Sequence, residues 1–314
     1  MKCRQDETAN TRDMTAILLR NPASRRNRRA GLADLQENTP QGLRAVTLRD
    51  PAALPGLAAR LCADGVTHVA IDGGDGTVRA VITALMAAYA GHPPAIGILA
   101  RGNTNLIARR LGRLRAEDLQ HLPELPVAPA PVLRVEGFAS GPEYGFILGW
   151  GAYADATARA QGAGSGAAQV LRSLARVIGE ARRVGIRAPL AVDGHAGAPG
   201  RSFGAVVTAL PGRLIAGINP FWGAPMDAPM RWTHVAAPAP YLPVCLPALA
   251  FGIGGRWLPG AYRSGAAEEL GLTLDGTLII DGDPFAPPDG RLRITADTVV
   301  PILRPRLDTR AGRD

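Results

Sequence analysis

The first third of the chain alternates short apolar runs with segments of helical character. The apolar runs end at Asn, Gly or Pro and predict buried strands, at 16–19, 43–48, 66–71 and 96–99. The intervening segments are rich in Ala, Leu or Arg and predict helices. These run from the turn at Asn21-Pro22 to about 36 and over 52–63, 77–89 and 103–111. Strands that alternate with helices predict an α/β domain with a parallel sheet, which we place at 14–127.

Beyond this point the pattern changes to short β-like runs separated by Gly and Pro. Four prolines within 122–131 predict a stiff linker. The runs that follow predict a β-sandwich domain at 128–305, interrupted by one helix at 167–183. The predicted strands are 132–135, 144–148, 187–192, 203–210, 272–280 and 292–294.

The distribution of apolar residues indicates neither a secreted nor a membrane-spanning protein. Residues 1–13 are polar and lack the apolar core of a secretory signal. The longest uncharged run, 235–255, contains four prolines, which would leave backbone groups unpaired inside a bilayer. We therefore expect a cytoplasmic protein, at most peripheral on the inner face of the membrane.

The net charge of +8 favours a polyanionic partner. No nucleic-acid motif accompanies it, and aromatic residues make up only 5%, so we expect no nucleic-acid partner and rank a membrane surface above it. Four arginines crowd one helix start, which forms either a solvated basic face or a contact with anionic lipid or phosphate. They are Arg25, Arg26, Arg28 and Arg29.

The sharpest motif is a strand that runs into a glycine-rich loop, Gly73 to Thr77, and then into a helix. Three glycines in four residues allow positive φ and close approach of a ligand, and with the helix N–H groups they form a phosphate cradle. Thr77 can cap the helix or donate to a phosphate, and Asp75 suits a nearby metal ion. The alternative is a plain tight turn without a ligand, but such a turn needs only one glycine, so the three glycines favour the phosphate cradle. The loop is neither a Walker A motif nor a dinucleotide fingerprint.

This GGDGT loop resembles the signature of the diacylglycerol kinase catalytic domain, shared by bacterial lipid kinases, sphingosine kinases and, more distantly, NAD kinases. Three further stretches fall in the family's order. Asn21-Pro22-Ala23-Ser24 resembles its NPxSG loop, the segment 102–109 resembles its GTxNDxAR segment, and Asp281-Gly282-Asp283 resembles its DGE motif.

The resemblance implies an α/β domain followed by a β-sandwich, and it implies ATP and Mg²⁺ as cofactors. It assigns Asp281 as the catalytic base, with Asp75 as the second catalytic candidate, and Asp283 as a metal-linked partner. Asp155 resembles a sphingosine kinase aspartate beside the lipid head group. The residues implied to bind the nucleotide are Asn21, Gly73, Gly74, Gly76, Thr77, Gly102, Asn103, Thr104 and Asn105.

Asp281 and Asp155 also have a structural explanation. Asp281-Gly282 is a strong signal for a type I′ hairpin turn. Asp155 is equally suited to the start of a helix, where the dipole favours an anion. Two acidic supports of the family are missing, since Leu106 and Ala80 occupy their positions.

Three functions therefore stay open. The first is an ATP-dependent lipid kinase that acts on a primary hydroxyl at the membrane surface, for which diacylglycerol, monoacylglycerol, phosphatidylglycerol, a sphingoid base and a polyprenol all qualify. The second is an NAD-kinase-like enzyme that phosphorylates a soluble nucleotide. The third is a non-catalytic nucleotide- or lipid-binding module.

Overall fold

The computed structural model describes residues 15–30, 39–102, 104–162, 185–198, 200–214 and 217–306. Contacts divide them into two compact units. The first contains the described residues up to Ala130 together with those from Val300 onward, and the second is Pro131–Val299. The sequence placed the division at 127/128 and counted 300–305 with the second domain, whereas the structure groups them with the first.

The first unit is an α/β domain. Its parallel sheet has the order β2-β1-β3-β4, and the end of a late strand, β17 (Arg291–Leu303), lies next to β4 through the parallel pair Ile302 and Ile96. A single 3₁₀ turn occupies Pro51–Ala53, and two 3₁₀ segments joined by a kink at His121 occupy Glu117–Glu124. The regular elements are β1 (Ala16–Arg20), α1 (Arg25–Ala30), β2 (Arg44–Thr47), α2 (Leu54–Ala63), β3 (His68–Gly73), α3 (Asp75–Ala88), β4 (Ala95–Ala100) and α4 (Leu106–Leu111).

The central strands of this sheet are covered on both faces, as a parallel sheet requires. All six residues of β3 are buried. The apolar positions of α3 that recur at helical spacing are buried as well, namely Val78, Val81, Ile82 and Leu85. Leu303 of β17 belongs to the core of this unit, with Leu18, Ala70 and Leu99. The predicted parallel α/β architecture is therefore confirmed.

The second unit consists of two antiparallel sheets. One has the order β10-β9-β14-β17, with β5 on β17 and β6 on β5; the other has the order β13-β12-β11-β7-β15-β16, with β8 on β11. Its elements are β5 (Val127–Glu136), β6 (Glu143–Gly145), β7 (Ile147–Gly151), α5 (Ala152–Gly162), β8 (Ile186–Arg187), β9 (Leu190–Val192), β10 (His195–Ala198), β11 (Arg201–Thr208), β12 (Arg231–Ala236), α6 (Leu242–Phe251), β13 (Tyr262–Ala266), β14 (Glu269–Thr273), β15 (Leu278–Ile280) and β16 (Asp283–Phe285).

Both sheets contribute to one apolar core. Leu133, Leu270 and Ile294 from the first sheet and Trp150 and Val207 from the second are at most 4% exposed and belong to the same cluster. Side chains that meet between two sheets define a sandwich. The predicted β-sandwich is confirmed, and the helix predicted at 167–183 lies outside the described residues.

Two sequence-based expectations about elements were wrong. The proline-rich segment 122–131 is not a linker, because it forms the end of a 3₁₀ turn and the first half of β5. Pro129 and Pro131 alternate along β5 and precede the residues that pair with β6. The run predicted at 272–280 is two strands, β14 and β15.

Strand β12 was missed because it carries buried polar residues, which hide the apolar pattern of a strand. Arg231 is fully buried; its guanidinium donates to the carbonyls of Leu210 and Gly212 and lies over the ring of Phe221. These bonds offset much of the cost of burying the charge. Strand β13, beside β12, was missed as well.

Candidate active site

Three loops meet at one edge of the parallel sheet in the first unit. They follow β1, β3 and β4, whose carboxyl ends all lie at this edge, the place where open α/β sheets bind ligands. Backbone hydrogen bonds join the loops. The N–H of Asn21 donates to the carbonyl of Asp72 (3.0 Å), that of Arg101 to Gly73 (3.0 Å), and that of Arg26 to Arg101 (3.2 Å).

The glycine-rich loop and the loop after β4 touch through their backbones. A Cβ added to Gly74 would lie 3.1 Å from the Cα of Gly102, and one added to Gly102 would lie 2.8 Å from the Cα of Gly74. Side chains would separate the loops. The reason for the glycines differs from the expected one, because Gly73, Gly74 and Gly76 are not among the described residues with positive φ. Close approach requires Gly74, not an unusual backbone angle.

Gly74 is also the N-cap residue of α3, and no side chain of the described residues caps this helix. The first N–H groups of a helix have no intrahelical partner, and together with the helix dipole they favour an anion. The backbone at the start of α3 therefore fits the phosphate groups of a nucleotide.

Asn21 and Thr77 are brought together across two loops. The Nδ2 of Asn21 donates to the Oγ1 of Thr77 (2.8 Å), and its Oδ1 accepts from the N–H of Ala23 (2.8 Å). Thr77 thus does not cap α3. Its hydroxyl accepts from Asn21 and still has its own hydrogen to donate, so it suits a phosphate oxygen.

Asp75 links the glycine-rich loop to α4. Its Oδ2 accepts from the hydroxyl of Thr104 (2.6 Å) and the N–H of Leu106 (3.0 Å), and its Oδ1 accepts from the N–H of Ile107 (3.3 Å). The carboxylate therefore caps the start of α4. These bonds account for its position, while its catalytic role stays a prediction.

Asn105 closes the second loop on itself. It has a left-handed backbone, with φ of 47°, and its side chain accepts from the N–H of Gly102 (2.7 Å) and donates to the carbonyl of the same residue (3.0 Å). Asn tolerates this conformation better than most residues. Asn103 lies outside the described residues.

A magnesium ion would find few protein ligands here. Leu106 is buried at the position where the family has an acidic residue. Among the described residues, no group of three His, Cys, Asp or Glu side chains could hold a metal. Magnesium usually keeps several waters and binds through one or two carboxylates and the substrate phosphates. Only that mode fits these residues.

Sequence reasoning missed a network of buried polar groups beneath the three loops. Asp72 is 1% exposed, and its carboxylate contacts the Nε of Arg20 (3.0 Å), the Nε of Arg101 (3.3 Å) and the Nδ2 of Asn27 (3.1 Å). Arg20 is buried as well. A charged residue at the end of each of two apolar strands was the signal. The network fixes the strand ends from which the loops begin.

In the second unit, Asp281 lies in the turn between β15 and β16. Ile280 pairs with Asp283, so the turn has two residues, Asp281 and Gly282, with φ of 48° and 101°. Positive φ at both positions is the requirement of a type I′ hairpin. The hairpin interpretation therefore describes the backbone, and the proposed role as base concerns the side chain.

The carboxylate of Asp281 is buried and held by the backbone. Its Oδ2 accepts from the N–H of Phe146 and its Oδ1 from the N–H of Ile147, both at 2.9 Å. A Cβ on Gly145 would lie 3.0 Å from Oδ2, so a glycine at this position makes room for the carboxylate. Two fixed donors set the orientation of the anion.

The other two predicted carboxylates are less enclosed. Asp283 is half-buried in β16. Asp155 is exposed in the first turn of α5, where the helix dipole favours it. Asp281 contacts the start of β7, whereas α5 begins after the end of that strand. The roles of Asp155 and Asp283 stay predictions.

Comparisons with known proteins agree with this geometry. Residues 15–127 match the family model of the diacylglycerol kinase catalytic domain. No curated protein matches the chain. A crystal structure of a provisionally assigned diacylglycerol kinase from Bacillus anthracis str. Sterne aligns with a TM-score of 0.65 and 14% identity, over 93% of this chain and 98% of that chain. A diacylglycerol kinase of the same strain aligns with a TM-score of 0.60 and 14% identity, over 93% and 97%.

At such identity the solved structures show a shared fold, which extends over both units of this chain. The N-terminal segment that matches the family model contains the loops that meet at the sheet edge. Residues 15–127 thus resemble the diacylglycerol kinase catalytic domain in sequence, and the chain as a whole resembles these two proteins in fold.

Proposed function

We propose that the protein transfers the γ-phosphoryl group of ATP to a primary hydroxyl of a lipid such as diacylglycerol. One observation supports this most directly: the backbone contact of Gly74 with Gly102 beside the uncapped start of α3. Neither glycine carries a side chain that would obstruct phosphates, and the N-cap residue of α3 makes no side-chain bond to the first N–H groups of the helix. The match of residues 15–127 to the family model supports the kinase class.

The nucleotide phosphates would meet three kinds of donor. The first is the backbone at the start of α3, the second is the hydroxyl of Thr77, and the third is the amide of Asn21, which already contacts Thr77. Arg101, 35% exposed beside the loops, adds positive charge. In phosphoryl transfer the protein mainly positions the groups and neutralises charge, which is what these residues can do.

In the proposed reaction the acceptor hydroxyl oxygen attacks the γ-phosphorus. The bond from that phosphorus to the β–γ bridging oxygen breaks, and ADP leaves with the electron pair. The hydroxyl proton passes to a carboxylate, for which Asp281 is our candidate, because two N–H groups hold its orientation. A magnesium ion on the triphosphate would supply further charge neutralisation, with Asp283 as the candidate protein ligand.

The test is transfer of label from [γ-³²P]ATP to a panel of lipids, namely diacylglycerol, monoacylglycerol, phosphatidylglycerol, a sphingoid base and a polyprenol. We expect label in at least one extracted lipid and none with Gly74→Val. A parallel reaction with NAD as acceptor tests the alternative that the protein phosphorylates a soluble nucleotide. None of the contacts described above favours that alternative.

A second candidate function is a non-catalytic nucleotide-binding module. Buried Leu106 and the lack of a three-ligand metal group among the described residues favour it. In that case Mg·ATP would raise the melting temperature, because it binds the folded state, yet no acceptor would become labelled. Both measurements on the same preparation separate the two functions.

A further inference from the structure

Large apolar side chains are exposed around α6 of the second unit. We call Tyr241, Val244, Phe251, Ile253 and Trp257 the α6 surface. Each is between 56% and 76% exposed. Single exposed apolar residues are normal in soluble proteins, but a continuous group of them indicates an interaction site.

The opposite side of α6 is anchored in the unit. Leu242, Cys245 and Ala248 are at most 2% exposed and pack in one cluster with Val235 and Tyr262. Their spacing of three residues defines a buried side of the helix.

The exposed side of α6 is also apolar. Val244, Pro247 and Phe251 recur at spacings of three and four residues and face solvent. A helix that is apolar on every side is normally enclosed, in a protein core or in lipid. Here one side of α6 packs against the second unit, and none of the described residues covers the other side.

The charged residues near α6 indicate which kind of partner binds its exposed side. The sequence contains no Asp or Glu between Asp227 and Glu268, while Arg256 and Arg263 are exposed in this stretch. A stretch of chain that contains exposed arginines and no acidic residue is attracted to anionic lipid headgroups. Tyr241 and Trp257 combine an apolar ring with a polar tip, the property that enriches these residues at membrane–water interfaces.

The size of α6 defines how it would bind. It has ten residues, and no helix of the described residues is long and apolar enough to cross a bilayer. An apolar helix side with basic flanks instead lies in the interface, with its side chains among the headgroups and the upper acyl chains.

We propose that the α6 surface inserts into the headgroup layer of an anionic phospholipid bilayer. The proposal rests on the proposed function for its purpose, because a lipid acceptor resides in a bilayer. The binding itself needs no ATP and no phosphoryl transfer, so it is measured separately.

The test uses the full chain and vesicles of phosphatidylcholine with phosphatidylglycerol, with and without brominated acyl chains. Trp257 is exposed, Trp150 and Trp232 are buried, and Trp222 is partly buried against the core below α6. Bromine quenches a tryptophan only at short range, so insertion of α6 should quench the fluorescence of the wild type. Most of the quenching should disappear in Trp257→Phe, with Trp222 as the source of any remainder, while co-sedimentation with vesicles stays close to that of the wild type.

A double variant tests the apolar contribution. Val244→Ser with Phe251→Ser should lower the vesicle partition coefficient at least about tenfold, since burial of one large apolar side chain already corresponds to that factor. Both positions face solvent, so the variant should keep the wild-type melting temperature. Val299→Ser, at an exposed valine outside the α6 surface, is the matched control and should bind as the wild type does.

Several results would overturn the proposal. One is equal partition of the double variant and the wild type, and another is quenching of undiminished extent in Trp257→Phe. A third is loss of vesicle binding in Arg26→Gln with Arg28→Gln but not in the double variant, which would transfer the membrane contact to α1. A fourth is a dimer of the wild type that the double variant abolishes, without quenching by lipid.

Failure of the proposed function gives a different result. A wild type that inserts into vesicles but labels no lipid would reject the kinase and keep the α6 surface. Conversely, if the membrane proposal fails but the kinase is correct, the double variant labels lipid in vesicles as well as the wild type does. If both are correct, the double variant labels lipid dispersed in detergent normally and lipid in vesicles poorly.

Discussion

Gly74 and Gly102 meet backbone to backbone, so neither tolerates a side chain without separation of the two loops. Gly74→Val should abolish nucleotide binding, because a branched side chain would push against Gly102 and fill the space above the first N–H groups of α3. The measurement is titration calorimetry with Mg·ATP. Wild-type affinity in this variant would contradict the phosphate-cradle interpretation.

Gly56→Ala is the matched control for that experiment. Gly56 lies in α2, and a Cβ there would meet only the end of the Arg60 side chain, at 3.8 Å. Alanine also favours a helix over glycine by about 1 kcal/mol. We expect this variant to bind nucleotide as the wild type does and to unfold at a slightly higher temperature.

Asp281 separates an enzyme from a binding module. Asp281→Asn keeps the positive φ accessible but cannot take the proton, so kcat for lipid phosphorylation should fall roughly 10²- to 10⁴-fold with ATP affinity nearly intact. Steady-state kinetics with labelled ATP give both values.

The asparagine also presents an NH₂ group where Asp281 accepts from the N–H groups of Phe146 and Ile147, so a moderate loss of stability is expected. Circular dichroism and the melting temperature show whether the variant is folded at the assay temperature. Asp275→Asn, in an exposed turn, is the control. Full activity in Asp281→Asn would place the base elsewhere, with Asp75 as the next candidate.

At the scale of elements, the ends of β1 and β3 depend on a buried ion pair. Asp72→Asn would leave the buried guanidinium of Arg20 without its anion, and breaking a buried pair from one side costs about 3–5 kcal/mol. Urea unfolding should show this loss.

The pair of Arg44 with Asp64 provides the comparison, since its side chains are 60% and 48% exposed. Asp64→Asn should change the free energy of unfolding by about 0–1 kcal/mol. Equal losses in both variants would mean that the Asp72 network contributes no more than a surface pair.

The sequence predicted the elements whose periodicity is uniform. Strands β1, β3 and β4 and helix α3 were found because parallel strands are apolar throughout and α3 has one continuous apolar side. Elements with mixed composition were lost. Strand β12 was hidden by Arg231 and His234, and the first half of β5 by its prolines.

The candidate site was predicted as a set of residues but not as a geometry. The motifs identified the loops that contact one another, since Asn21 meets Thr77 and Gly74 meets Gly102. That Asp75 caps α4 could not be predicted, because the bond joins residues about 30 positions apart. The network around Asp72 depends on contacts between strands for the same reason.

At the scale of the whole molecule, one buried histidine links folding to pH. His234 of β12 is 1% exposed, and neither ring nitrogen has a hydrogen-bond partner among the described residues. Burial, assisted by the charge of Arg263, lowers the pKa of His234 from 6.5 to about 4. The folded protein therefore keeps this imidazole neutral where the unfolded chain would protonate it.

Protonation of His234 therefore opposes folding. Below pH 6.5 the unfolded chain binds a proton that the folded chain does not bind, so stability falls as the pH drops from 6.5 towards 4, by up to roughly 3 kcal/mol. His234→Leu should flatten this part of a stability–pH curve measured by urea unfolding. A residual slope should persist, because burial also lowers the pKa of His68.

His92→Leu, at an exposed position, is the control and should leave the slope unchanged. If His234→Leu keeps the full acid sensitivity of the wild type, the acid response has another origin. A variant that unfolds at neutral pH would be replaced by His234→Gln, for which the same flattening is expected.

Strand β17 makes the folding of the first unit depend on residues that are translated after the second unit. The ribosome completes the segment that matches the family model at residue 127, yet the strand that lies beside β4 includes Ile302, and Leu303 completes the core. Until then the edge of β4 has unpaired backbone groups, which favour aggregation. The first unit cannot finish folding before the second has been translated. A fragment that ends at 127 should therefore be insoluble or dependent on a chaperone. Loss of the last residues of β17 should disable the phosphate site, although that site is encoded two hundred residues earlier.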